Sequence, residues 1–132
     1  MIQKIPLPTV LVVMLILVAV LLPGSSLPEA PGIIGFDKLV HFAMFLTLAI
    51  AVELDFKPVG LRSMLLVVFL ALAFSAITEA LQLLVEGRAA EMLDMLADMA
   101  GFGVGLVARH PLSNMAMRIR KRAAKILKNR QK

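Results

Sequence analysis

The sequence contains no cysteine, no tryptophan and no tyrosine. The first absence excludes disulfides, thiolate metal centres and cysteine nucleophiles, and leaves the cellular compartment open. The missing indole and phenol rings remove the aromatic belts that usually mark where membrane spans begin and end. Acidic residues are absent from 118–132, a stretch that holds eight of the 14 Lys and Arg, so the formal charge of +5 belongs to that tail. The rest of the chain carries six basic and nine acidic groups.

What the chain does contain is hydrocarbon. Hydrophobic residues make up 60% of it and the mean hydropathy is +0.90, well above the roughly half-apolar composition of soluble domains. A bilayer core about 30 Å thick needs about 20 apolar residues per helix, so a chain of 132 residues accommodates one compact bundle. Four apolar segments are separated by short polar or Pro/Gly-rich punctuation, at about 7–22, 38–54, 61–85 and 92–109. The expectation is an all-α membrane bundle of four transmembrane helices over residues 1–110, followed by a basic tail over 111–132. The first segment, with Lys4 ahead of it, has the look of a signal peptide. It reads instead as a retained helix, because PGSSLPEAPG offers no clear small-x-small cleavage site.

Basic residues flanking the spans set the orientation. Lys4, Lys57, Arg62, Arg109 and the tail fall on one side, against Lys38 and Arg88 on the other. The expected location is a bacterial inner membrane, multi-pass, with both termini cytoplasmic. The second helix then begins outside with Asp37, Lys38 and His41, the third ends outside with Glu79, Gln82 and Glu86, and the fourth begins outside with Arg88, Glu91, Asp94 and Asp98. Helical spacing groups them further. Asp37 and His41 stand at i and i+4, Ser75, Glu79, Gln82 and Glu86 form one stripe, and Asp94, Asp98, Gly101 and Gly105 form another. The two glycines supply a small surface for close helix approach, within the chain or in a homo-oligomer. Met92, Met95, Met99 and Phe102 are left to face lipid or pack loosely, and Ser75 reads as a packing residue.

D-K-x-x-H at Asp37, Lys38 and His41, E-x-x-Q at Glu79 and Gln82, G-R at Gly87 and Arg88, and D-x-x-x-D at Asp94 and Asp98 followed by Gly101 and Gly105 together resemble the VanZ-like family of small bacterial membrane proteins. The resemblance covers about residues 36–107. It implies a polytopic helical fold, and it brings resistance to the glycopeptide teicoplanin as a family label, with no reaction attached.

Three roles fit the polar cluster. Carboxylates and an imidazole can bind a divalent cation or exchange protons with a lipid-linked or cell-envelope molecule, with Arg88 and Lys38 holding an anionic head group. The same charges can simply neutralise one another and fasten three helix ends. An ion pathway is the weakest reading, because the opposite halves of these helices are nearly all apolar. No Ser-His-Asp or other acyl-transfer arrangement is evident, and GFGVG at 101–105 follows no strand, so it is not a nucleotide loop. In the tail, Met115, Ile119, Ala123, Ile126 and Leu127 share a face opposite Arg118, Lys121, Arg122, Lys125 and Lys128, with Ser113 able to cap the start. Residues 118–132 are therefore expected on the anionic inner leaflet rather than on nucleic acid.

Overall fold

The computed structural model describes residues 5–23 and 35–108. The linker between them and the basic tail, with its amphipathic pattern and leaflet contact, lie outside these residues. Among the described residues the protein is all α, with four helices and no strand. They are α1 (Leu7–Leu21), α2 (Phe36–Phe56), α3 (Leu61–Gln82) and α4 (92–108). α3 stops short of the apolar segment's end, and residues 83–87 form a turn.

Local chemistry accounts for the boundaries. Pro8 sits in the first turn of α1, where a missing N–H breaks no helical bond. α2 ends where Lys57 adopts a left-handed conformation (φ 45°) and Pro58 forbids continuation. Gly87, at φ 75°, supplies the left-handed residue of the turn between α3 and α4 and so sets the departure of Arg88.

Ile16 and Val20 of α1, Phe45, Leu48, Ala49 and Val52 of α2, Ala71 of α3, and Phe102 and Leu106 of α4 form one core. The rings of Phe45 and Phe74 lie 5.9 Å apart between α2 and α3. Phe102 is thus buried, against the expectation of a loose or lipid-facing residue, and Met99 packs on the core, whereas Met92 is exposed. The reason is the approach of α4 to α2. A Cβ on Gly101 would lie 2.9 Å from the Phe42 carbonyl carbon and closer still to its oxygen, and one on Gly105 would lie 2.5 Å from the Ala49 Cβ. The glycine stripe therefore serves packing inside the chain, and that proximity draws the neighbouring Phe102 inward.

At the opposite end of the bundle, Asp55 of α2 reaches the start of α1. Its Oδ2 accepts from the Thr9 backbone N–H at 2.8 Å and from the Thr9 hydroxyl at 2.6 Å. A first-turn donor that α1 cannot satisfy for itself is thereby paired by the neighbouring helix.

Only α3, among the described residues, is both long and apolar enough to cross a membrane, and 22% of its most apolar window is buried. α1, at 15 residues, spans about 22 Å at 1.5 Å per residue, short of the hydrocarbon thickness. α2 is long enough but carries Asp37, Lys38, Glu53 and Asp55 near its ends. Four full spans are therefore more than the helices themselves establish.

Candidate functional site

Among the described residues, seven polar side chains are buried in this apolar bundle: His41, Ser75, Thr78, Glu79, Gln82, Asp94 and Asp98. Five of them gather around the imidazole of a sixth, His41, at the end where α2 begins, α3 ends and α4 begins. The helical registers anticipated above explain why, since each stripe faces inward at the same level.

His41 is the centre, 3% exposed. Its Nδ1 lies 3.0 Å from Asp98 Oδ1, and Asp98 Oδ2 accepts the Ser75 hydroxyl at 2.6 Å. Glu79 Oε1 stands 3.8 Å from the same Nδ1. On the far side of the ring, Nε2 lies 3.5 Å from Gln82 Nε2 and 3.9 Å from Asp94 Oδ2. With Nδ1–H donated to Asp98, Nε2 is free to accept from the Gln82 amide, or to carry a second proton facing Asp94. Protonation of Nε2 would thus exchange the Gln82 donor for the Asp94 carboxylate as the partner on that side of the ring.

Two further contacts tie the helices together. Glu79 Oε2 accepts the backbone N–H of Glu91 at 2.9 Å, joining the end of α3 to the entry of α4. Lys38 Nζ sits among three carboxylates: Asp37 Oδ2 at 2.8 Å, Glu91 Oε2 at 2.7 Å and Asp94 Oδ1 at 3.2 Å. The last contact is Coulombic rather than a directed bond, because Asp94 Oδ1 has no partner of hydrogen-bonding geometry. Asp94 also lies in the first turn of α4, where the helix dipole favours an anion. At the exposed rim, the Lys38 ammonium holds the Asp37 carboxyl below the ordinary carboxylate range.

Arg88 lies apart from this network. Its Nη2 donates to the Ala19 carbonyl of α1 at 3.3 Å, and no carboxylate of the described residues is within ion-pair distance. Its Nε is buried and has no acceptor among the described residues. The guanidinium borders a pocket of about 350 Å³ between α1 and α2, lined also by Phe36, Asp37, Val40, His41 and Met44. A larger cavity of about 610 Å³, lined by residues such as Val52, Phe56, Leu66 and Phe74, is apolar and holds none of the cluster.

Of the residues expected from sequence, Asp37, Lys38, His41, Glu79, Gln82, Asp94 and Asp98 come together. Gly101 and Gly105 form the α2–α4 contact, and Arg88 faces the pocket rather than the aspartates. Glu86 is exposed in the turn, and Glu91, likewise exposed, pairs with Lys38. Ser75 is corrected from packing residue to ligand of Asp98. Its place one turn from Glu79 on the polar stripe was the signal. Nothing in the sequence pointed to Ala19 as the acceptor for Arg88.

A family model described as VanZ/LLP1 matches residues 5–110, which include all of these side chains. No curated protein and no solved structure matches the chain.

Proposed function

We propose that this chain, which belongs to the VanZ/LLP1 family, is a four-span membrane protein whose polar cluster, at the extracytoplasmic face, receives the anionic head group of a lipid-linked or cell-envelope molecule. The observation that carries the reading is Arg88. A guanidinium whose buried Nε has no partner among the described residues borders a pocket that His41 also lines. A phosphate or carboxylate there would satisfy the fork in bidentate fashion. The apolar walls of Phe36, Val40 and Met44 suit the hydrocarbon next to a head group, and His41 supplies a site for proton exchange within reach.

Membrane insertion is supported by the inversion of polarity. Charged side chains are buried inside the bundle, while Leu65, Leu66, Phe69 and Leu70 of α3 are exposed. In water such a surface would aggregate; in lipid it is the favourable one. The shorter α1 is accommodated by local thinning or by its flanking residues. The basic flanks put both termini in the cytoplasm and residues 118–132 on the inner leaflet.

A structural role is the second reading, favoured by the contacts of Lys38 with three carboxylates. Arg88→Ala and Glu79→Gln variants separate the two when membrane abundance and envelope phenotype, including glycopeptide susceptibility, are measured together. Normal abundance with a lost phenotype supports head-group binding. Parallel loss of both makes the cluster a fastener and refutes the site.

A further inference from the structure

We propose that His41, Glu79 and Asp98 bind one divalent transition-metal ion, of Zn²⁺ or Mn²⁺ character, with Asp94 beside it. The inference deepens the site reading above and rests on the same cluster; it shares His41 with the Arg88 pocket but turns on Glu79 and Asp98, which do not line it. The three donor atoms come from α2, α3 and α4 and lie within 4.8 Å of one another. An ion bonded at about 2.0–2.2 Å to each would hold neighbouring donors roughly 3 to 3.5 Å apart. The observed separations from His41 Nδ1, 3.0 Å to Asp98 Oδ1 and 3.8 Å to Glu79 Oε1, bracket that range. Small side-chain movements close the set.

An independent observation points the same way. Glu79 is 4% exposed, and its Oε1 is buried with no hydrogen-bond partner. The carboxylate is not free to turn away, because Oε2 is held by the Glu91 backbone N–H at 2.9 Å. A fixed, desolvated, unpaired oxygen beside an imidazole and a second carboxylate is an arrangement that calls for a cation. Charge gives the same answer. Glu79, Asp94 and Asp98 are all buried around His41, so with the three carboxylates ionised even a protonated ring would leave an excess of negative charge after Lys38 has offset Asp94, and a bound cation would supply the balance.

The donor set selects the class of ion. Mg²⁺ and Ca²⁺ favour all-oxygen surroundings, whereas an imidazole nitrogen with carboxylates suits Zn²⁺ or Mn²⁺. The metal would take Nδ1 in its deprotonated form, and the proton would reside on Nε2, facing the Asp94 Oδ2 carboxylate oxygen as its orienting partner. Uptake would thus displace a proton from the cluster wherever His41 or a carboxylate is protonated. The other acidic group, Asp37 with Glu91 and Asp94, is excluded because the Lys38 ammonium already occupies it.

The test uses the full chain, purified in detergent through a tag without histidine, stripped with chelator and loaded separately with Zn²⁺ and Mn²⁺. Metal retained per chain is measured after gel filtration, with millimolar Mg²⁺ and Ca²⁺ present. The expected result is about one ion per chain for at least one of the two metals, with proton release on loading. His41→Gln, Glu79→Gln and Asp98→Asn should each lower retention at least about tenfold, and Glu91→Gln should leave it unchanged. Circular dichroism of the variants shows whether they are folded. Should one fail to fold, loading of the wild-type chain must still raise its thermal midpoint. Arg88→Ala, which addresses head-group binding, should keep the wild-type ratio, so the two claims fail separately. Retention by the wild type no higher than by an unrelated membrane protein, or undiminished retention in folded His41→Gln and Glu79→Gln, would overturn the proposal.

Discussion

Substituting Gly101 by Ala adds one methyl group at the closest approach of α4 to α2. The new carbon would stand 2.9 Å from the Phe42 carbonyl carbon and overlap its oxygen. Backbone cannot rotate aside as a long side chain can, so α4 must retreat by roughly 1 Å to restore ordinary contact distances. Overpacking of this kind costs about 1–3 kcal/mol. The retreat also reaches Asp98, nearly one turn earlier on α4, and stretches its 3.0 Å contact with His41, adding about 1 kcal/mol. Gly103→Ala is the control, because a Cβ there meets nothing within 4 Å and alanine is the better helix former by about 1 kcal/mol. The two single-methyl variants should therefore differ by roughly 3 kcal/mol, about two powers of ten in the folded-to-unfolded ratio. Unfolding in mixed micelles by increasing SDS, followed by helical circular dichroism, measures the difference. If Gly101→Ala unfolds at the same denaturant fraction as Gly103→Ala, or a higher one, the α2–α4 contact described above is wrong.

Three other outcomes follow from the geometry. Ser75→Ala leaves Asp98 Oδ2 without its 2.6 Å donor in a buried position and should destabilise the protein by about 1–3 kcal/mol in the same assay. Asp55→Ala removes both bonds to Thr9 and should lose about 1–2 kcal/mol, as removal of a helix cap does; hydrogen exchange should rise at the first turn of α1 and not in α4. Reporter domains fused after Ala30 and after Gly87 should both be exported, and cytoplasmic signals at both would reverse the orientation.

The helices and the meeting of their polar ends were legible because burying charge in an apolar chain leaves a strong periodic trace. Asp37 with His41, and Asp94 with Asp98, sit at single-turn spacing, and the register that turns His41, Asp94 and Asp98 inward leaves Asp37 at the rim. Phe102 was misjudged for a related reason. Helical spacing gives the direction of a side chain but not the distance to the next helix, and it is the closeness of Gly101 and Gly105 to α2 that encloses the phenylalanine. Arg88 and Lys38 share a sign, and nothing in the sequence separates them. Lys38 and His41 take the carboxylates, and the guanidinium goes to a carbonyl on α1. Thr9 and Asp55 lie 46 positions apart, a pairing that no local pattern encodes.

The clasp between Asp55 and Thr9 also bears on how the molecule is made. Both residues belong to the first helical hairpin, which can close while the ribosome is still adding α3. His41 is already present in that hairpin, whereas Glu79 and Asp98 arrive later. A neutral imidazole can wait in hydrocarbon; an unpaired carboxylate is far costlier there. The order of synthesis therefore introduces the buried imidazole first, and the buried carboxylates of Glu79, Asp94 and Asp98 only when that partner stands ready to receive them.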